Sequence, residues 1–480
     1  LTGDAKALSF IEDTAIPDDK LGLFVREVER ILKGYGTRAN IYAHASAGCL
    51  HIRPLLNIKD AGGVAVMRDI ANEVMTLAIS LGGATSGEHG DGLVRSQFLK
   101  QSYGDQVYQL FGDLKRAFDP QNILNPGNMM GDPRLEQNLR YGNGYKPVGW
   151  EPYLDFSVQG SLVGAIEMCN GAGVCRKDIG LMCPSYQATL DETYSPRGRS
   201  NLMRAMISGK FPSMSEAEKF VYAALDLCLA CKGCKSECPS GVDVARLKYE
   251  FLYQYYKRHP RKVRDYLFGY IDTLAPMGSP FSFLLNPLLG NKAVRQINER
   301  VVGLAAERTF PTFASPGQKR EVTRRPAPPT YDVLFLADSF SRNFHPETEK
   351  AALYMLEEAG YKVRVLPVLG AGRASISKGF LERARAHARR LVKAIQQLDP
   401  SGKLPVVGVE PSEIFVLRDE YLDFFPKDAY TRALSRRAWM VDEYLLRPAA
   451  GDSSGIEHIL RSHPLPGNGK KILLHGQCIQ

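Results

Sequence analysis

The sequence predicts a multidomain protein in which an α+β domain, a helical domain and an α/β domain follow one another. The 480 residues suffice for roughly three domains of about 150 residues each. Helical and strand-like patterns are mixed over residues 1–130, helical patterns dominate 161–310, and short apolar runs alternate with helices over 331–480. The segments 131–160 and 311–330 are rich in Gly or Pro and are interpreted as linkers.

The first domain is predicted to begin with an amphipathic helix, Leu21–Lys33, that ends at Gly34. A strand is expected at Ile41–Ala45. Two further helices are expected at Val64–Leu81, before Gly82-Gly83, and at Val107–Phe118, before Asp119-Pro120. This mixture predicts an α+β domain.

The last domain is predicted to contain a parallel sheet. Its short apolar runs lack any period, as expected of strands that are buried on both faces. Helices are expected between and after the first two runs, at Glu347–Ala359 and Leu381–Gln397. The alternation of strands and helices predicts a doubly wound, Rossmann-like sheet. The four expected strands are Val333–Ala337, Lys362–Pro367, Val406–Val409 and Lys471–Leu474.

The net charge of +9 indicates a slightly basic surface. The excess of basic side chains is expected to be solvated. The alternative is that it attracts anionic substrates or an anionic membrane surface. Lys and Arg are spread along the chain rather than clustered, which argues against nucleic acid binding. No run of 18 apolar residues and no signal peptide is found, so a cytoplasmic location is expected, with a peripheral position at the inner membrane as the alternative.

The nine cysteines are distributed unevenly. Seven lie between residues 169 and 238, whereas Cys49 and Cys478 stand apart. This distribution is not that of a disulfide framework in a small secreted domain. It indicates a reducing compartment and a cofactor held by thiolates.

The strongest motif is Cys228-Leu-Ala-Cys231-Lys-Gly-Cys234-Lys-Ser-Glu-Cys238-Pro239. This is the C-x2-C-x2-C-x3-C-P run of iron–sulfur proteins, in which the fourth cysteine ligates the other cluster when two are present. A zinc site is the alternative. The run predicts a helical, ferredoxin-like iron–sulfur domain.

A second run lies upstream and is incomplete. Cys169 and Cys175 keep the spacing, but Ala172 occupies the middle position, and Cys183 follows only after seven residues. If the fourth cysteines are exchanged, Cys183 completes a [4Fe–4S] site with Cys228, Cys231 and Cys234, and the other site holds Cys169, Cys175 and Cys238. Three thiolates are compatible with a three-iron cluster, with a non-cysteine fourth ligand or with no cluster.

Two histidines flank a tight turn in Ile41-Tyr-Ala-His44-Ala-Ser-Ala-Gly48-Cys-Leu-His51-Ile-Arg53. If Ala47-Gly48 were a two-residue hairpin loop, His44 would lie opposite His51, and cross-strand Cβ atoms are about 5 Å apart. Two such imidazoles can share a divalent metal. Structural histidines are the alternative.

A glycine-rich segment, Ser86-Gly-Glu-His-Gly-Asp-Gly92, places Glu88 beside His89. Glycines allow a close approach of the backbone to a ligand. Glu88 could complete a site of two histidines and one carboxylate, and His89 could act as a base because its free pKa is near neutral. A solvated glycine turn is the alternative.

These motifs, together with Phe118-Asp-Pro-Gln-Asn-Ile-Leu-Asn-Pro-Gly127, resemble the C-terminal half of FAD-linked oxidases of the vanillyl-alcohol oxidase superfamily. The remainder resembles the iron–sulfur subunit of glycolate, lactate and glycerol-3-phosphate dehydrogenases. Nearly the whole chain resembles the fused bacterial D-2-hydroxyglutarate dehydrogenase type. The resemblance implies an FAD-linked oxidase cap domain in residues 1–130, and a chain that is a fragment of a longer one.

The resemblance also implies a role for each matching residue. His44, His51 and Glu88 would hold a divalent metal, zinc or manganese, near the substrate hydroxyl. His89 would be the base and would contact the substrate with Arg53, whose guanidinium could grip a carboxylate. Asn125 would lie against the FAD, and Glu88 would share in cofactor binding.

The chain departs from the iron–sulfur subunits in its last domain. Their Cys-Cys-Gly step reads Gly370-Ala371-Gly372-Arg373, and their Glu-Pro-Ser-Cys reads Glu410-Pro-Ser-Glu413. Leu474-His-Gly-Gln-Cys478 resembles the start of a second such repeat. These changes argue against a further cluster in that domain.

The resulting hypothesis is an FAD- and iron–sulfur-dependent dehydrogenase that oxidises D-2-hydroxyglutarate and passes electrons to a quinone or carrier protein, as a homo-oligomer. D-lactate or another D-2-hydroxy acid is the alternative substrate. A non-catalytic electron-transfer subunit and a structural iron–sulfur scaffold are alternatives of other classes. The apolar stretch Tyr266–Leu289 is expected to be helical core packing, with an acceptor-docking face as the alternative.

Overall fold

A computed structural model describes residues 3–447 except 132, 133 and 143, together with residues 457 and 459. The chain divides into two compact units, residues 1–148 and 149–480. The division falls inside the segment 131–160, which the sequence marks as a linker. Helices and sheets are mixed as predicted, and each unit has its own hydrophobic core.

The first unit is built around β4, which pairs antiparallel with every other strand of its sheet. Helices pack on this sheet and bury Phe24, Val28, Ile70 and Val74 completely. Each such side chain contributes about 1.5–3 kcal/mol through burial. The strands are β1 Lys6–Ala7, β2 Thr14–Ala15, β3 Ala39–His44 and β4 Cys49–Leu56, and the α-helices are Leu21–Gly34, Ala61–Ser80, Gly92–Arg95 and Leu99–Phe118.

The predicted pairing of His44 with His51 is wrong. His44 lies opposite Cys49, and Tyr42 lies opposite His51. The connection is longer than a two-residue loop: a 3₁₀ turn over Ala45–Ala47 is followed by Gly48 at φ 64°. Because the register differs by two residues, both histidines still point to the same face of the sheet.

The last helix of the first unit exposes an apolar stripe. The helix begins at Leu99, earlier than predicted, and is interrupted at Gly104, where φ is 78°. Large apolar side chains recur every three or four residues along its solvent side, which is the spacing of one helix face. The exposed residues of this apolar stripe are Tyr103, Val107, Leu110, Leu114 and Phe118.

The second unit begins with a helical part that carries the cysteine runs. The sequence folds here into many short helices separated by glycine- and proline-containing turns. Side-chain caps hold several of them, as at Ser195, whose Oγ accepts from the Gly198 N–H. The helices are Leu162–Glu167, Pro184–Thr189, Pro196–Ile207, Met214–Asp226, Gly233–Glu237, Val244–Tyr255, Val263–Gly269, Ile271–Gly278, Ser282–Gly290, Lys292–Val302 and Pro316–Thr323.

The rest of the second unit contains a parallel sheet with the order β6-β5-β7-β8. The strands are β5 Val333–Leu336, β6 Val363–Val365, β7 Val406–Gly408 and β8 Ala438–Met440. The first three correspond to predicted strands. The fourth was not predicted, and the expected strand Lys471–Leu474 lies outside the described residues. The helices are Ser339–Phe344, Pro346–Glu358, Arg373–Ser377, Leu381–Leu398, Pro411–Arg418, Glu420–Phe424, Ala429–Ser435 and Val441–Leu446.

The helical part and the sheet part share one core. Met203 and Leu247 of the helical part belong to the same buried cluster as Leu334 and Leu391 of the sheet part. The segment predicted as the linker between them contains the helix Pro316–Thr323, which begins with a capping box. Residues 161–310 and 331–480 therefore form one compact unit in the structure.

The apolar stretch Tyr266–Leu289 is largely exposed, so the prediction that it forms core packing is wrong for most of its large side chains. Phe283 is 77% exposed and Met277 is 64% exposed. The stretch forms three short helices, two of which contain an internal proline. Within the described part of the chain, no helix has both the length and the apolar character needed to cross a membrane.

Candidate active site and cluster ligands

Three imidazoles converge on one carboxylate oxygen in the first unit. The Oε1 atom of Glu88 lies 3.1 Å from His51 Nε2, 3.2 Å from His89 Nε2 and 3.6 Å from His44 Nε2. His51 is almost fully buried, whereas the other three side chains are 43–59% exposed. The group is therefore buried at His51 and open to solvent on the side of the other three residues.

The strands and the glycine-rich segment bring these four residues together. His44 ends β3, His51 lies in β4, and their rings meet edge to face with centroids 5.2 Å apart. The ring of Tyr42 stacks on His51 at 4.6 Å from the other side. Tyr42 thereby fixes the plane of the buried imidazole.

Asp13 organises the glycine-rich segment. Its carboxylate is fully buried and accepts hydrogen bonds from Ser86 Oγ at 2.5 Å and from the backbone N–H groups of Glu88 and His89, both at 2.9 Å. Its backbone oxygen accepts from the Gly87 N–H at 2.7 Å. Burial raises the pKa of this carboxyl, but the hydrogen bonds outweigh it and lower the pKa of Asp13 to about 2. Glu88 and His89 therefore project from a segment clamped by one ionised carboxylate.

Glu12 faces two of the histidines. Its Oε1 lies 3.6 Å from the buried His51 Nδ1 and 3.8 Å from His89 Nδ1. Arg53 donates to both oxygens of Glu12, at 2.8 and 3.0 Å. Burial raises the pKa of Glu12, and the hydrogen bond from Arg53 overcomes it, so the pKa is lowered overall. Arg53, which the sequence assigns to a substrate carboxylate, thus pairs with a carboxylate of the chain itself and keeps 39% of its side chain exposed.

These groups have the donor atoms of a divalent metal site. One nitrogen each from His44 and His51 and one oxygen from Glu88 lie within 4.8 Å of one another. Glu12 faces the other ring nitrogen of His51, where a carboxylate usually stands when a histidine ligates a metal. The donor atoms of Glu12, His51 and His89 also lie within 4.8 Å of one another. The Glu12 carboxylate, however, is already paired with Arg53.

Asn125 lies in a turn next to the apolar stripe. Its backbone is left-handed, with φ 46°, and its side chain is exposed. The preceding turn is held by Asp119, which accepts from the N–H groups of Ile123 and Leu124 at 2.9 and 2.8 Å. The side chains of Ile123 and Leu124 are exposed. Asn125 therefore stands on an open apolar face.

The seven clustered cysteines of the second unit line two separate cavities. Cys183 lines one cavity with Cys228, Cys231 and Cys234. Cys169, Cys175 and Cys238 line the other. Each cavity thus combines cysteines of both runs, in the partition expected if the fourth cysteines are exchanged.

The four-cysteine cavity has a positively charged wall. Arg199, which is buried, directs Nη1 to Cys183 Sγ at 3.5 Å and donates through Nη2 to Ser185 Oγ at 2.8 Å. Lys248 Nζ donates to the backbone oxygen of Cys228 at 2.6 Å. Buried cations offset the negative charge of four thiolates.

The sheet part of the second unit holds a carboxylate where the iron–sulfur subunits have a cysteine. Glu413 is buried and accepts from the backbone N–H groups of Ala371 and Arg373 at 2.5 and 3.4 Å. Burial raises the pKa of Glu413 to about 7. A hydrogen-bonded carboxylate and not a thiol therefore fills this position, while Cys478 lies outside the described residues.

Glu12 and Asp13 contact the histidine group, and the sequence reasoning missed both. A weak signal was present: two adjacent acidic residues follow the apolar pair Phe10-Ile11, and all four are buried. Buried carboxylates need partners, and their partners lie far away along the chain. Sequence spacing alone does not reveal such pairs.

Comparison with protein families supports both halves of this description. Residues 1–129 match the family described as FAD linked oxidases, C-terminal domain. Residues 165–242 match the family described as 4Fe-4S dicluster domain. The first match covers the histidine and glutamate group, and the second covers both cysteine runs.

Comparison with curated proteins finds relatives along most of the chain. The chain is 29% identical to the D-2-hydroxyglutarate dehydrogenase of Pseudomonas putida, over 92% of this chain and 48% of that protein. It is 28% identical to the enzyme of that name from Escherichia coli, over 87% of this chain and 46% of that protein. A D-lactate dehydrogenase of Archaeoglobus fulgidus is 33% identical over 27% of the chain. The chain thus spans about half the length of the D-2-hydroxyglutarate dehydrogenases that it resembles, and it joins a segment similar to the C-terminal domain of FAD linked oxidases to a segment similar to the 4Fe-4S dicluster domain.

Proposed function

We propose that this chain is part of a dehydrogenase that oxidises D-2-hydroxyglutarate to 2-oxoglutarate with FAD and passes the electrons to an iron–sulfur cluster. The observation that carries the proposal is the convergence of His44, His51 and His89 on Glu88, in a chain that also assembles a complete four-thiolate set. A pure electron-transfer subunit or a structural scaffold has no need of the histidine group. The similarity to D-2-hydroxyglutarate dehydrogenases favours that substrate, and D-lactate is the second candidate.

His44, His51 and Glu88 fit a divalent metal, zinc or manganese, because their donor atoms converge and one side of the group is open. When bound, such a metal supplies Lewis-acid stabilisation of the substrate oxygen. The buried His51 directs Nε2 to the site and Nδ1 towards the Glu12 carboxylate, whose Oε1 is 3.6 Å away. The residues present are thus sufficient for three protein ligands.

His89 is proposed as the base. Its Nε2 lies beside Glu88, and its side chain is half-exposed on the open side, where a substrate can approach. It accepts the proton of the C2 hydroxyl, while Glu12, facing Nδ1, stabilises the resulting imidazolium. The exposed part of Arg53 is proposed to position a substrate carboxylate, in addition to its pair with Glu12.

When bound, FAD would supply the acceptor for the hydride of C2. Asn125 is proposed to lie against it, and we propose that the FAD-bearing part of the protein covers the apolar stripe next to Asn125. A contiguous apolar stripe on an exposed helix face is typical of a surface that packs against another part of a protein. The match of residues 1–129 to FAD linked oxidases supports this assignment.

Cys183, Cys228, Cys231 and Cys234 fit a [4Fe–4S] cluster, because four buried or half-buried sulfurs line one cavity with a cationic wall. When bound, the cluster supplies one-electron transfer. The proposed final acceptor is a quinone or a carrier protein, and the proposed setting is a cytoplasmic homo-oligomer, with a peripheral position at the membrane as the alternative.

The test is a stopped-flow measurement of flavin bleaching by D-2-hydroxyglutarate and D-lactate. His89→Ala should slow bleaching by about 10²–10⁴-fold, the usual contribution of a general base. His345→Ala, at an exposed histidine of the second unit, is the matched control and should leave the rate unchanged. Bleaching at a normal rate in His89→Ala would refute the role of the base, and failure of every D-2-hydroxy acid to bleach the flavin would refute the function.

A further inference from the structure

The second cysteine cavity differs from the first by one ligand. Cys169, Cys175 and Cys238 line it, and the position that corresponds to the missing thiolate is Ala172, which lines the same cavity and is exposed. A methyl group cannot ligate iron. Because Ala172 is exposed, the corner of the cavity next to it faces solvent.

The other polar residues of this cavity are already engaged. Asn170 Oδ1 accepts from the Ala172 N–H at 3.0 Å. Arg197 has no acceptor atom, and its Nη1 donates to the Gly171 backbone oxygen at 2.9 Å. Among the described residues that line the cavity, none offers a fourth thiolate, imidazole or carboxylate.

The cavity is nevertheless built to hold thiolates. Cys169 and Cys175 are buried, and the Arg197 backbone N–H donates to the Cys175 sulfur. The Arg197 guanidinium lies against the loop so closely that a Cβ on Gly173 would be 2.6 Å from its Nη1. Glu192 fixes this guanidinium through two hydrogen bonds, of 2.8 and 3.0 Å. Burial raises the pKa of the Cys175 thiol, and the Arg197 N–H acts against that rise. The fixed guanidinium also lies within electrostatic reach of Cys169 and Cys175.

We propose that this second cavity binds an iron–sulfur cluster through only Cys169, Cys175 and Cys238, and that the oxidised protein holds it as a [3Fe–4S] cluster with its open corner at Ala172. Each iron of a cubane needs a terminal ligand. An iron at the corner next to Ala172 would be bound only by sulfide and water. Oxidation by ferricyanide would remove one electron and release that iron as ferrous ion, so that three irons and four sulfides remain.

The proposal goes beyond the proposed dehydrogenase function, because it assigns the type of the second cluster. Its test requires no substrate: the purified protein is oxidised with ferricyanide and studied by electron paramagnetic resonance, with iron and sulfide analysis. We expect the near-isotropic signal of an oxidised three-iron cluster at about one spin per chain, and about seven irons per chain. Failure of hydroxy acids to reduce the flavin would leave this result unchanged.

Three variants make the test specific. Ala172→Cys restores the C-x2-C-x2-C spacing and should abolish the signal while raising the iron content to about eight. Val174→Cys, which adds an exposed thiol at the wrong spacing, should keep the signal. Cys175→Ser should remove the signal and leave about four irons in the first cavity.

Two results would overturn the proposal. An oxidised protein with about four irons and no three-iron signal would show that the second cavity binds no cluster. An oxidised protein that keeps about eight irons would show that a fourth ligand is present. In that case Cys478→Ser, at a cysteine outside the described residues, would reveal whether that thiol is the ligand.

Discussion

The histidine group of the first unit and the cysteine cavities of the second unit acquire their ligands in different ways. The cysteines lie in two short runs, and each cavity is lined by two or three closely spaced cysteines of one run and one cysteine of the other. The histidine group is assembled from β3, β4 and a separate segment, and its geometry depends on Asp13, which lies 75 residues before Glu88. In each cysteine cavity covalent spacing positions the ligands of one run, and the fold adds one cysteine from the other run, whereas hydrogen bonds between distant segments set the geometry of the histidine group.

This difference has a consequence for mutagenesis. Substitution of residues that are not ligands should change the iron content of the cysteine cavities little. In the histidine group such substitutions should change the reaction rate or the metal affinity strongly. Asp13 and Glu12 carry that dependence, because the first holds the segment with Glu88 and His89 and the second faces His51 and His89. The predictions below test this contrast at both residues.

The largest effect is expected for Asp13→Asn. The amide cannot accept all the hydrogen bonds that the carboxylate accepts from Ser86 and the two backbone N–H groups, so Glu88 and His89 should move. A displacement of about 1 Å at a catalytic group can cost about 100-fold in rate. We expect a loss of that size in substrate-driven flavin bleaching.

The matched control is Asp18→Asn, which changes an exposed aspartate shortly after Asp13 in the sequence and should leave the rate unchanged. The iron content should be equal in both variants, because the cysteine cavities belong to the other compact unit. If Asp13→Asn bleached its flavin at the normal rate, the clamp would not determine the geometry of the site.

A pH dependence of local stability is expected next. The pKa of Asp13 is about 2 in the folded protein, below the ordinary value of 3.8. Its ionised form therefore stabilises the fold above pH 3.8, and this contribution, about 2 kcal/mol, is lost as the pH falls from 3.8 towards 2. Hydrogen exchange of the Glu88 and His89 amides, corrected for the intrinsic rate, should show this loss.

The comparison for this experiment is again Asp13→Asn, which cannot ionise. Its Glu88 and His89 amides should already be poorly protected at pH 5 and should show no further change on acidification. Amides in the buried helix Ala61–Ser80 should behave alike in both proteins. An equal loss of protection in wild type and variant would assign the pH effect to another group.

The sequence predicted the composition of the histidine group but not its geometry. His44, His51 and Glu88 were chosen correctly as neighbours even though the hairpin register was wrong, because an error of two residues preserves the face of a strand. Glu12 and Asp13 were missed, since a hydrogen bond between distant segments leaves no periodic pattern. The partition of the cysteines was predicted, because it follows from the spacing of the two runs together with the exchange of their fourth cysteines.

The same distinction applies to the fold. Long amphipathic helices such as Leu21–Gly34 and Leu381–Leu398 were predicted to within one residue at each end. The three-residue strand β8 was missed, and the exposure of Phe283 was predicted wrongly. Both depend on what packs against them, and a short apolar run looks the same whether it is covered or not.

The smallest expected effect is that of Glu12→Gln on metal affinity. Glu12 is placed as an outer partner of His51, and loss of such a partner typically costs about 10–100-fold in affinity. We expect the lower end, about 10-fold, because Glu12 Oε1 lies 3.6 Å from His51 Nδ1, beyond hydrogen-bond distance. Mn²⁺ is the suitable probe, since oxygen and nitrogen donors bind it while thiolates favour softer metals.

Binding is followed by the loss of the free Mn²⁺ resonance during titration, and Glu29→Gln, at an exposed glutamate, is the control. Arg53→Met should weaken Mn²⁺ binding in the same direction as Glu12→Gln, because Arg53 holds both oxygens of Glu12. Because the two residues act as one pair, the double variant should be no weaker than the weaker single variant. Additive losses would show instead that Arg53 acts on the metal site independently of Glu12. The geometry of the histidine group would then depend less on its buried carboxylates than the contrast with the cysteine cavities implies.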